Sequence, residues 1–66
     1  MNWTLIEDTL PVDMTRVFII WVVLGRVIVS EAIYRDGAFH NLQNNCVMKP
    51  SDGIVKAWMP CSIQYI

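Results

Sequence analysis

The sequence predicts a small α+β domain: a three- to four-stranded antiparallel β-sheet with a short N-terminal helical turn. Three observations carry that expectation. Val17 to Leu24 is an unbroken run of Val, Ile, Phe, Trp and Leu, residues that favour strands. Asp36-Gly37 is a strong two-residue hairpin signal. Thr4-Leu5-Ile6-Glu7 has the form of a capping box, a Thr followed three residues later by a Glu that can reach back to it.

The helical turn is expected over Leu5 to Thr9. Pro11 limits it, because the residue before a proline is pushed toward extended conformations. A single turn is not stable alone, so Trp3, Leu5, Ile6 or Leu10 must pin it to something else. The first strand is expected over Thr15 to Leu24. Val17, Ile19, Trp21 and Val23 point one way, and Phe18, Ile20, Val22 and Leu24 the other. Both faces are apolar, which calls for cover on both: the N-terminal turn on one side, or a second protomer.

Gly25 and Arg26 are the expected turn into a second strand, Val27 to Arg35. Asp36-Gly37 leads to a short third strand, Ala38 to Leu42. Gln43 to Gly53 is rich in turn residues and is expected to be a loop. Ile54 to Met59 is the fourth strand, with Ile54, Lys56 and Trp58 opposed to Val55, Ala57 and Met59. Pro60 ends it, since proline cannot donate to a ladder. Short connections predict that strands adjacent in sequence pair with each other. The order of the tail, Cys61 to Ile66, is left open by its sequence.

Composition bounds the function. The 66 residues are 55% hydrophobic and 17% charged, with a formal net charge of −1. Such a chain is expected to form one domain, residues 1–66, too apolar to be disordered. It has five basic residues, scattered, which argues against binding nucleic acid by counterion release. The apolar run is eight residues between Arg16 and Gly25, well short of the roughly 20 a membrane helix needs. No basic, apolar and small-residue leader opens the chain, so a cytoplasmic location is expected. In that reducing setting Cys46 and Cys61 are expected as free thiols, with a bridge between them as the alternative.

The chemistry-bearing residues form no recognisable constellation. His40, the single histidine, has no serine or carboxylate obviously placed to partner it, and reads as a solvent-facing strand residue. Cys46, Cys61 and His40 lack the paired short spacings of a zinc site. No catalytic residue, metal or cofactor is therefore assigned. Trp3, Trp21 and Trp58 are expected in the core or at an interface rather than stacked on bases. Charge is mildly segregated: Glu7, Asp8 and Asp13 make residues 1–15 acidic, while Arg16, Arg26 and Arg35 against Glu31 make residues 16–35 basic. Glu7, Asp8 and Asp13 are the leading candidate contacts for a basic partner surface, followed by Glu31, Asp36 and Asp52.

Three segments, in order, carry a resemblance. Trp3-Thr4-Leu5-Ile6-Glu7-Asp8-Thr9-Leu10-Pro11 opens the chain, Asp36-Gly37-Ala38-Phe39 follows a tyrosine strand, and Val55-Lys56-Ala57-Trp58-Met59-Pro60 comes near its end. Their order and spacing over residues 3–60 resemble DUF551, a family of short phage and prophage proteins of unknown function. The tail Cys61-Ser62-Ile63-Gln64-Tyr65-Ile66 departs from the proline- and glutamate-rich ending of that family, and the first strand is more apolar. The resemblance implies no catalytic residue. It implies a mobile-element setting, in which small accessory proteins act by binding host machinery.

The expected function is thus that of a phage-encoded accessory protein, not an enzyme. It would inhibit a host defence complex of the CRISPR-Cas type by occluding a surface through an acidic patch, as a monomer or homodimer. The alternatives are a dimerising structural scaffold without a host target and a weak single-stranded nucleic-acid binder.

Overall fold

A computed structural model describes residues 2–61 of the chain. The tail beyond Cys61, whose order the sequence leaves open, lies outside the described residues. Six strands form one antiparallel sheet: β1 Thr4–Leu5, β2 Thr15–Val23, β3 Arg26–Arg35, β4 Ala38–Asn41, β5 Val47–Met48 and β6 Val55–Pro60. Their spatial order is β1-β6-β2-β3-β4-β5.

The α+β, antiparallel character holds, but the strand count is six rather than three or four. The two additional strands, β1 and β5, are two-residue edges too short for a period-two pattern to register. The N-terminal helical turn is also corrected. Thr4 and Leu5 pair with Trp58 and Ala57 instead of capping a helix. A turn does follow, in which the Asp8 and Thr9 amides both donate to the Leu5 carbonyl, at 3.0 and 3.3 Å. The helical element assigned among the described residues is a 3₁₀ turn at Pro50–Asp52, inside the expected loop.

β2 and β3 form the longest ladder, from Thr15↔Tyr34 to Val23↔Arg26. The tight turn is Leu24-Gly25, one residue earlier than the sequence suggests, with φ of 51° and 74°. Asp36-Gly37 closes β3 onto β4 as expected, with φ of 53° and 76°. Positive φ at both central residues is the geometry that matches the right-handed twist of hairpin strands. Sequential pairing holds from β2 to β5 and then fails: β6 returns to lie between β1 and β2. The central position of β2 gives it a hydrogen-bonded neighbour at each edge, β6 and β3.

The sheet's two faces follow from the register, because cross-strand partners share a face. One face buries Val17, Ile19, Ala32, Tyr34, Phe39, Met48 and Val55 in a single cluster, with Ile6, Trp21, Ile54 and Trp58 packed against it. The Tyr34 and Phe39 rings meet at 4.8 Å between centroids. The register of β6 against β2 shifts between Ile20 and Trp21, so that Ala57 opposes Ile20 while Val55 opposes Trp21. Lys56 is the extra residue of this bulge. It turns Val55 onto the core face with Trp58, where simple alternation places it opposite.

Two buried polar side chains sit among these residues. Ser30 accepts the Trp21 indole N–H at 3.0 Å and donates to Gln43 Oε1 at 3.4 Å. Asn41 Oδ1 accepts the Gln43 amide at 2.8 Å, which turns the chain at the end of β4. The N-terminal segment lies across the core side: Pro11 is buried, and the Thr9 carbonyl accepts the Trp58 indole N–H at 3.0 Å.

Candidate interaction face

The other face of the sheet carries Phe18, Ile20 and Val22 of β2, Val27, Val29 and Ile33 of β3, Met59 of β6 and Leu5 of β1. These are large apolar side chains, and they stay at least partly in water. Val27 is 70% exposed, Val29 55% and Leu5 47%. The N-terminal turn does not cover this face, so that half of the two-sided requirement is unmet by the described residues. Scattered apolar residues on a surface need no explanation, but a contiguous patch on one sheet face marks a contact site.

The patch has a polar corner. Arg16 and Glu31 are diagonal neighbours on this face and form an ion pair, and the Cys61 thiol lies 3.6 Å from the same carboxylate. Opposite charges here cancel, so the corner adds no net charge to the face. Near the β4 side, His40 Nε2 is buried without a hydrogen-bond partner, beside a cleft of about 320 Å³ lined by Ile33, Arg35, Asn41, Leu42 and Asn45. The expected solvent-facing histidine is therefore half-buried. Its neighbour Ile33 on β3 supplies the apolar cover.

The β2–β3 hairpin runs past its neighbours. β4 pairs only with Ala32–Arg35, and its last backbone bond is from Leu42 N–H to the Glu31 carbonyl, at 3.0 Å. Glu31 thus points its peptide groups toward β4. By the two-residue alternation of a strand, Val29 and Val27 point theirs to the same side, where no described strand lies. Val27 and Val29 combine an open edge with an exposed apolar side chain. At the hairpin's tip Leu24 is 95% exposed and held at φ 51°, a conformation that favours Gly or Asn.

The six acidic candidates do not share one place. Asp13 and Asp36 meet: Asp13 Oδ1 accepts the Asp36 amide at 3.0 Å, beside the Thr15 end of β2. Glu7 and Asp8 are exposed near the opposite end, where the Ile6 amide bonds the Lys56 carbonyl. The register separates these two groups by five to six residues of β2, on the order of 15–20 Å. Glu31 is committed to Arg16, and Asp52 to the Lys49 amide at 3.1 Å, which closes the 3₁₀ turn. The two-sided β2, with its alternate residues Phe18, Ile20 and Val22, already called for cover on this face, while the acids were read as the contact; that Val27, Val29, Ile33 and Leu5 join it follows only from the register.

The larger cleft, about 520 Å³, lies between β1 and the 3₁₀ turn and is lined by Leu5, Ile6, Glu7, Pro50, Ser51, Gly53, Val55 and Lys56. Its polar side chains are the Glu7 carboxylate, the Ser51 hydroxyl and the Lys56 amine. Among the described residues, no group of three or more His, Cys, Asp or Glu gathers to hold a metal ion. Cys46 and Cys61 are free thiols. No described helix is long and apolar enough to cross a membrane. In comparison with known proteins, no family model, curated protein or solved structure matches this chain.

Proposed function

We propose that this protein is a binding module that acts by protein–protein contact, with the apolar sheet face as its principal contact surface. The observation that carries the reading is the row Val27, Val29 and Leu5, exposed around half-buried Phe18, Ile20 and Ile33 on one pleated surface. An apolar centre with a charged corner is the anatomy of a protein interface. The Asp13–Asp36 pair is a second, smaller contact element suited to a basic neighbour.

The resemblance to short phage and prophage proteins sets this reading in a bacterial cell. There the module would act as an accessory protein that occludes a host defence complex of the CRISPR-Cas type. Of the six acids, Asp13 and Asp36 support that contact best, because they are adjacent and exposed. A photoreactive residue placed at Val29 tests the core of the proposal in cells. Adducts of discrete mass are expected; their absence, with adducts equally absent from Phe18, contradicts it. Neutralising Asp13 and Asp36 together is expected to weaken binding to a captured partner at least tenfold. Unchanged affinity removes the acids from the account.

A further inference from the structure

We infer that the first occupant of the apolar face is a second copy of this chain, stacked sheet on sheet about a two-fold axis. The inference rests on the reading of that face as a protein contact and names its partner.

Area is the first argument. From β1 to β3 the face crosses three strand spacings of about 4.8 Å, and from Arg16 to Val22 it runs about 20 Å. That plane is about 300 Å², and side-chain relief raises it to on the order of 400–600 Å² per copy, or roughly 800–1,200 Å² for a pair. A stable standard interface buries about 1,200–2,000 Å² in total. Two copies therefore at most touch the lower bound of a specific interface, and the expected association is weak, on the order of 100 µM.

Shape and charge are the second argument. A twisted pleated surface of Val, Ile and Phe packs best against another sheet of the same twist, about 10 Å away. A copy supplies that surface. An isologous contact also needs a patch that tolerates itself. Here the Arg16–Glu31 ion pair is internally neutral and the whole chain carries only −1, so two copies meet without strong repulsion. The stack would leave the Asp13–Asp36 corner at the end of each sheet, displayed twice on one particle.

Sedimentation equilibrium of the full chain, from about 1 µM to 1 mM, tests this. The expected result is a shift from one to two times the 7.6 kDa chain mass across that range. Val29→Glu is expected to weaken the dimer at least tenfold while keeping the near-ultraviolet signal of the buried tryptophans. Should Val29→Glu not fold, Val27→Lys at the more exposed neighbouring position gives the same readout. A chain that stays monomeric at 1 mM overturns the inference, and so does a dimer indifferent to both substitutions. Monomeric behaviour combined with Val29 adducts to a protein of different mass would overturn the dimer alone and leave the binding-module reading standing.

Discussion

Individual residues show where the chain follows local chemistry and where it departs from it. Leu24 is the clearest departure. Its φ of 51° and 95% exposure mean that it costs backbone energy and gains no burial. Leu24→Asn is expected to stabilise the fold by about 0.5–1 kcal/mol, read as a higher denaturation midpoint. A drop would show that the leucine packs against something. Ser30 is the opposite case, a buried hydroxyl whose place is set by the Trp21 indole at 3.0 Å. Ser30→Ala is expected to cost about 1–3 kcal/mol, because it leaves the indole N–H without its partner. Tryptophan fluorescence should report the loss as a change in emission at the same time. Neither role was legible in advance, since a serine in a strand carries no sign of which tryptophan stands two strand positions beyond its neighbour.

At the scale of elements, the legible parts were those written in local code. Asp36-Gly37 made its turn, and β2 and β3 appeared within a residue of their expected bounds. The parts missed are set by non-local pairing. β1 is two residues long and exists because β6 offers Trp58 and Ala57 as partners. The capping-box pattern of Thr4 and Glu7 lost to that ladder. β5 exists in the same way, through Phe39↔Met48 and His40↔Val47. The Lys56 bulge is also a tertiary event, since it appears only when β6 is laid against β2. Deleting Lys56 is expected to straighten the ladder with Val55 still opposite Trp21 on the core face, and so to cost under about 1 kcal/mol. Urea denaturation checks this. A loss of about 3 kcal/mol or more would show that the extra residue is needed to seat Val55 in the core.

At the scale of the molecule, the described residues form a single sheet with one finished side. Its core face gathers side chains from five of its strands, β2 to β6. Its other face is left partly in water by the described residues, most of all at Val27 and Val29. A sequence reading could reach the need for cover on both faces of β2, but not which side the N-terminal segment would take. That is decided by Trp58 and Pro11, which hold residues 6–14 on the core side. The acidic residues, by contrast, looked like a group along the chain and are divided in space by the length of β2. Charge close in sequence is not charge close in the fold when the few residues between run along the length of a strand. The consequence for function is that contact with other proteins rests first on packing and only locally, at Asp13 and Asp36, on charge.

The claim that Val27 and Val29 face outward from the sheet formed by the described residues is open to one direct measurement. Val27→Thr and Val29→Thr, made together, keep branched side chains in both strand positions but place a hydroxyl on each. Stability should be measured by denaturation at sub-micromolar concentration, below the expected self-association range. The account predicts a change under about 1 kcal/mol, because both side chains are already in water. A loss of about 3 kcal/mol or more would mean that two hydroxyls had been buried without partners, and would contradict an open face.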